Sequence, residues 1–186
     1  LADVGGNDIE DTLEELFKNY YKIEERTLLR LHTEERAFHG YNYALNEIAI
    51  LKRDTSSMIT IHTSLNDEYL ASYQADGLLI ATPTGSTAYS MSVNGPIIIP
   101  QSKNIVLSPV APHSLNVRPL IIPDTYTITL GVESRNKSFL ISLDGRSEVF
   151  PAGIQLTVTK VIKRYNHTFY QTLREKLMWG ADARMK

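Results

Sequence analysis

The stretch MITIHTSLNDEYLASYQADGLLIA, residues 58–81, decides the fold class. In its first third Ile59, Ile61, Thr63 and Leu65 alternate with polar positions, the period-2 pattern of a strand with one buried face. Asn66-Asp67 then supplies a two-residue hairpin turn, and Glu68 to Gln74 reads as the returning strand. Gly77 to Ala81 does not alternate at all, so both of its faces are expected to be buried.

Short runs of the same kind continue outward on either side. Strands are expected at Glu47 to Arg53, Asn104 to Ser108, Tyr126 to Glu133, Ser138 to Leu143, Glu148 to Phe150 and Gln155 to Arg164. Many short strands at turn-punctuated intervals argue for packed antiparallel sheets, not a doubly wound parallel fold. Before them, Ile9, Leu13, Leu16 and Phe17 recur at helical spacing between Asn7 and Tyr20, with Asn7 and Glu10 placed as a capping box. Tyr21 to Thr33 weakens toward extended structure, Glu34 to Tyr43 reads as a connection, and Phe169, Leu173 and Leu177 predict a short C-terminal helix. The expected fold is mainly β (α+β) and sandwich-like, with one flanking helix at each end.

The chain has 186 residues, 42% hydrophobic and 22% charged, a formal net charge of −2 and no cysteine. That length supports a core without staples. Zero Cys excludes disulfide frameworks, thiolate metal sites and cysteine nucleophiles. Near-neutral charge without a basic block leaves no footprint for nucleic acid or an anionic membrane. No apolar run reaches the roughly 20 residues that span a bilayer, and a cytoplasmic location is expected. The five histidines show no ligand spacing, so a protein-bound metal is not expected. Lys52, Arg53, Lys160 and Lys163 read as solvated charges on strands.

The chemistry-bearing segment is ATPTGSTAYSMSVNGPII, residues 81–98. A buried strand runs into a hydroxyl-rich turn and a short helix from Ala88 to Val93, closed by Asn94-Gly95-Pro96. Free backbone N–H groups at such a helix start favour phosphate or the polar edge of a nucleotide, and Gly85 would let a ligand approach the backbone. Ser and Thr are equally the residues of an ordinary strand-to-helix turn. Both readings stand on these residues alone.

The surrounding residues resemble the NAD kinase family. TPTGSTAY at 82–89 carries the resemblance, preceded by Asp76-Gly77-Leu78-Leu79-Ile80 and followed by Gly95-Pro96-Ile97. Glu25 to Leu29, Ala44-Leu45-Asn46-Glu47, Pro112 to Leu115 leading to Arg118-Pro119, and Asp144-Gly145 agree in order. The resemblance implies transfer of the terminal phosphate of ATP to the adenosine ribose 2′-hydroxyl of NAD, giving NADP. It implies Mg²⁺ or another divalent cation travelling with ATP, and a homo-oligomer, dimer or tetramer. Members of the family carry an N-terminal α/β domain with a GGDGT motif whose Asp serves as general base. The chain contains no GGDGT and opens on Leu1. It is therefore expected to be a fragment: 1–20 a helical border to that domain, 21–164 the β-rich NAD-binding domain, 165–186 a helical end. By itself the fragment is expected to be inactive.

Carried over by resemblance, the nucleotide contacts are Asn46, Glu47, Asp76, Thr84, Thr87, Ala88, Tyr89, Ser90, Met91 and Ser92, with Asp76 acting on NAD from a neighbouring subunit. Chemically, an amide reads an adenine edge, a carboxylate accepts ribose hydroxyl protons, and a tyrosine stacks on a base. Gly85 and Gly95 are expected as structural turn residues. Asp144-Gly145 between β-type flanks is a hairpin signal, and the resemblance adds a supporting role for Asp144. Arg146, where relatives carry a neutral residue, is a candidate phosphate contact that would favour NADP. Two other readings remain: a non-catalytic NADP-binding or oligomerisation domain, and a lipid kinase of the diacylglycerol or sphingosine type, against which TPTGSTAY and Asn46-Glu47 count.

Overall fold

In the computed structural model the described residues are 6–21, 24–34, 37–53 and 57–161. The helix expected around Phe169 to Leu177 lies outside them. Among the described residues twelve strands form two antiparallel sheets of six. The first sheet runs in the order β2 (Tyr43–Ala44), β1 (Leu29–His32), β12 (Gln155–Lys160), β9 (Ile128–Glu133), β4 (Ile59–Leu65), β5 (Glu68–Ala75). The second runs β11 (Arg146–Pro151), β10 (Ser138–Leu143), β3 (Glu47–Lys52), β6 (Gly77–Ala81), β7 (Asn104–Val110), β8 (Leu120–Pro123). The mostly β fold of two antiparallel sheets is the expected one.

The decisive stretch folds as read. Leu65 pairs with Glu68 across Asn66-Asp67, both at positive φ (49° and 67°), as a type I′ hairpin requires. Ile59 and Ile61 are buried, while Thr60 and His62 are only partly so. Every residue of β6 is buried. One apolar cluster joins the sheets, with Leu31, Ile61, Leu130 and Val158 from the first meeting Ile48, Ile80, Leu107, Phe139 and Ile141 from the second. The outer face of β6 is covered differently, by Ile98 packing on Ala81 and Val106.

The helix α1 spans Ile9–Phe17 with no buried residue; Ile9, Leu13 and Leu16 are each about half exposed and Phe17 more so. Its N-cap is Asp8, without a side-chain capping bond, so the Asn7/Glu10 capping box does not form. A 3₁₀ turn at Gly6–Asp8 occupies the place that box needs.

Three strands appear where the sequence pattern was weak or silent. β1 and β2 are four and two residues long, too short to show a period. β8, LIIP, follows Pro119 and ends on Pro123 at the sheet edge, where proline is tolerated. Two charges read as solvated are paired. Lys52 Nζ lies 2.6 Å from Asp76 Oδ1, and Lys160 Nζ meets the carboxylate of Asp124, a residue only 2% exposed. In each case the partner comes from a distant segment, which local pattern does not reveal.

Candidate functional site

Neighbouring strands of the second sheet end together at one rim. β3 begins at Glu47 opposite Ala81, the last residue of β6, and β10 ends at Leu143 opposite Ile48. Residues 45–47, 82–92 and 144–145 are thereby gathered, although up to about a hundred residues separate them in sequence.

Asp144 and Gly145 form the two-residue turn between β10 and β11, both at positive φ (47° and 82°). The Asp144 side chain reaches back across the rim. Its Oδ2 accepts the Leu45 N–H at 2.6 Å, and its Oδ1 accepts those of Asn46 at 2.8 Å and Glu47 at 3.0 Å. The Asp144 N–H in turn donates to the Glu47 carbonyl at 3.2 Å. A hairpin residue therefore also clamps the segment that carries Asn46 and Glu47. Charge-assisted bonds of this kind are about twice as strong as neutral ones.

The hydroxyl-rich turn packs on the same segment. Thr82 donates its N–H to the Asn46 carbonyl at 2.9 Å and its hydroxyl to the Leu45 carbonyl at 2.6 Å, and it accepts the Gly85 N–H at 3.1 Å. Thr84–Thr87 is a 3₁₀ turn followed by α2 (Tyr89–Ser92), a helix of one turn. The N–H groups of Ser86 and Ala88 donate to the carbonyls of Pro83 and Gly85. The expected cradle of free N–H groups at a helix start is therefore absent at these positions, because the turn satisfies itself.

Gly85 is small for another reason than ligand access. A Cβ there would stand 2.1 Å from the Asn46 carbonyl oxygen, so the space is taken by the chain's own backbone. Gly95 is similar: its Cβ would meet Ser90 Oγ at 2.2 Å. Ser90 is fully buried, with its hydroxyl 3.3 Å from that of Ser108; it supports the rim from beneath. Thr87, Tyr89, Met91 and Ser92 are exposed on the outer side of the turn and Ala88 is half-buried.

Among the described residues, two buried side-chain oxygens at this rim have no hydrogen-bond partner, Glu47 Oε2 and Thr84 Oγ1. Glu47 is 9% exposed, and its carboxylate accepts the Tyr89 backbone N–H. Burial pushes the Glu47 pKa up and the negative charge of Asp144 pushes it further, with the Tyr89 N–H opposing both. A buried acid with one unsatisfied oxygen can accept a hydrogen bond from a ligand bearing hydroxyl or amide groups.

Not every expected residue joins this rim. The Arg146 guanidinium donates to the carbonyls of Leu143, Tyr41 and Tyr43 at 3.2, 2.9 and 2.6 Å, bracing residues 41–43 against the hairpin. Asp76 stands at the opposite end of β6, roughly 17 Å away at strand rise, ion-paired to Lys52. Sequence reading passed over Thr82 and Ser86. Ser86, fully buried, donates to the Pro83 carbonyl at 2.7 Å and accepts the Ile98 N–H at 3.0 Å. Its signal was the hydroxyl following Gly85, which a side-chain-to-backbone turn reading would have caught.

Among the described residues no three His, Asp or Glu side chains converge as a metal site. No helix among them is long and apolar enough to cross a membrane.

A two-sheet domain whose strand ends gather a hydroxyl-rich turn around a buried carboxylate is the C-terminal domain fold of NAD kinases. It superposes with a TM-score of 0.76 on the structure of yeast NADH kinase complexed with NADH, at 25% identity, covering 97% of this chain and 55% of that one. A second likeness in fold is to an NAD kinase from Archaeoglobus fulgidus in complex with ATP, TM-score 0.71 at 24% identity, covering 83% of this chain and 58% of the other.

Residues 45–167 match the ATP-NAD kinase C-terminal domain, and the chain belongs to that family. Its full length is 56% identical to an NAD kinase of Bacteroides fragilis, spanning 66% of that protein. Over 99% of its length it is 47% identical to an NAD kinase of Cytophaga hutchinsonii, spanning 65% of that one. The chain thus spans about two thirds of the relatives it matches.

Proposed function

We propose that this chain supplies the dinucleotide-binding part of an NAD kinase, which moves the terminal phosphate of ATP to the adenosine ribose 2′-hydroxyl of NAD. The observation that carries this reading is the pair of unsatisfied buried oxygens, Glu47 Oε2 and Thr84 Oγ1, with Tyr89 and Met91 exposed on the helix that follows Thr84. A ribose presents vicinal hydroxyls to a carboxylate, and a base or nicotinamide presents a flat face to Tyr89. That NADH and ATP are bound in solved relatives supports the ligand class.

In the reaction the ribose oxygen bonds to the terminal phosphorus, the bond to the ADP oxygen breaks, and the hydroxyl proton passes to a general base. In this reading that base lies in the N-terminal part present in the longer relatives. Asp144 is committed to three backbone N–H groups, and the role of Glu47 is to orient the ribose. A divalent cation would be carried by the ATP phosphates, as is usual for Mg²⁺. Asp76 would reach the ligand only from a second copy of the chain, which agrees with a homo-oligomer.

Calorimetric titration of the chain with NAD, NADP and ATP tests the site. Binding of NAD or NADP, weakened tenfold or more by Glu47→Gln, is the expected result. No binding by the folded chain would sink the reading. The protein extended by its upstream segment should convert NAD and ATP to NADP. If it phosphorylates a lipid instead, the substrate assignment is wrong. The chain alone is expected to bind without turnover.

A further inference from the structure

We propose that Asp144 is a positioning residue that acts on the dinucleotide through Glu47: its carboxylate fixes the backbone from Leu45 to Glu47 and so the place of the acid that meets the ribose. The proposal rests on the reading of Glu47 as a ligand contact.

Geometry carries it. One carboxylate gathers three consecutive N–H groups at 2.6 to 3.0 Å, and the return bond from Asp144 N–H to the Glu47 carbonyl closes the arrangement. A backbone held at three successive residues leaves the Glu47 side chain little freedom in where it leaves the strand. The same segment is the floor against which Gly85 and Thr82 pack, so the clamp also sets the height of the turn bearing Thr84 and Tyr89.

Electrostatics adds a second effect. The elements around Glu47 are the β10–β11 turn with Asp144, the start of α2 with the Tyr89 N–H, and the uncharged end of β6 at Ala81 and Thr82. The turn also carries Arg146, whose guanidinium is directed to the Tyr41 and Tyr43 carbonyls. Asp144 is the charge that acts on Glu47, and it does so in the same direction as burial. A group held this way takes up a proton at higher pH than an ordinary glutamate. If the ligand's hydroxyls need its ionised form, affinity falls earlier on the acid side.

The test is NAD affinity against pH for the unmodified chain, Asp144→Asn and Glu47→Gln. Asparagine keeps the size but replaces one acceptor oxygen with a donor and removes the charge. Asp144→Asn is expected to weaken NAD about tenfold or more at neutral pH, and to move the acid limb of the profile to lower pH. Glu47→Gln is expected to abolish that limb. A merely structural Asp144 would lower affinity and leave the limb where it was, which overturns the proposal while the reading of the site stands. An unchanged limb in Glu47→Gln overturns both. Because Asp144→Asn could impair folding, the Glu47 side-chain carboxyl is also titrated by ¹³C NMR in the unmodified chain and in Asp144→Ser. Titration above the ordinary glutamate position that drops toward it in Asp144→Ser supports the coupling, and titration at that position in the unmodified chain, or no drop in the variant, overturns it.

Discussion

Gly85 rests directly on the backbone of Asn46, so closely that a methyl group on it would overlap the Asn46 carbonyl carbon at 2.5 Å as well as its oxygen. The contact joins the turn that follows β6 to the residue that precedes β3. Gly85→Ala must therefore separate them, and overpacking of this kind costs about 1–3 kcal/mol. Urea denaturation should show that loss. NAD affinity should fall with it, and an alanine variant with unchanged midpoint and affinity would contradict the contact.

Glu47 gives a stability prediction with a definite sign. Its pKa is raised in the folded chain, first by burial and then by Asp144. A raised carboxyl favours folding when protonated, a contribution present at low pH and lost as pH rises through the raised value. Glu47→Gln, neutral at every pH, should melt higher than the parent at pH 7. The difference should close as pH falls into the ordinary carboxylate range. Thermal scans across pH measure it, and a lower Tm for the glutamine variant at pH 7 would contradict the burial argument. Higher stability with weaker NAD binding is the trade expected of a residue kept for function.

Ser86→Ala removes a hydroxyl that bridges the Pro83 carbonyl and the Ile98 N–H. The Ile98 N–H loses its acceptor, at about 1–3 kcal/mol, while the Pro83 carbonyl keeps the Ser86 backbone N–H. Hydrogen exchange at the Ile98 amide should accelerate well beyond that of amides in β4. Equal protection before and after substitution would show that Ser86 does not latch the turn.

Among the described residues, Lys160→Met leaves the Asp124 carboxylate, 2% exposed, with only the distant Thr27 hydroxyl at 3.5 Å. Breaking a buried pair from one side costs 3–5 kcal/mol. Lys160 keeps about a third of its surface, so the low end, about 3 kcal/mol, is expected. Asp124→Asn combined with Lys160→Met should recover much of it, since no isolated charge remains. Equilibrium unfolding of the three variants decides; a double variant no better than Lys160→Met would remove the ion pair from the account.

What the sequence disclosed follows the range of the interaction involved. The hairpins at Asn66-Asp67 and Asp144-Gly145 and the all-buried strand at Gly77–Ala81 are written in adjacent residues, and each formed as read. β8 escaped notice because one proline precedes it, another ends it, and it has no alternation. Lys52 and Lys160 were misread because their carboxylates lie 24 and 36 positions away. At the rim, Asn46, Glu47 and TPTGSTAY were visible through resemblance. The self-satisfied turn was not, since only coordinates show that the N–H groups of Gly85, Ser86 and Ala88 already have acceptors.

The bonds from Asp144 to Leu45, Asn46 and Glu47 span 97 to 99 positions of chain. Contacts of that separation form late in folding, after the loop between them has been closed. During synthesis the Asn46-Glu47 segment therefore emerges long before the residue that holds it. A nascent chain that stops short of the β10–β11 hairpin can pair β3 with β6 and bury much of the core, yet its Glu47 is unclamped. On the proposed function, competence to bind a dinucleotide is then acquired only once the β10–β11 hairpin has docked.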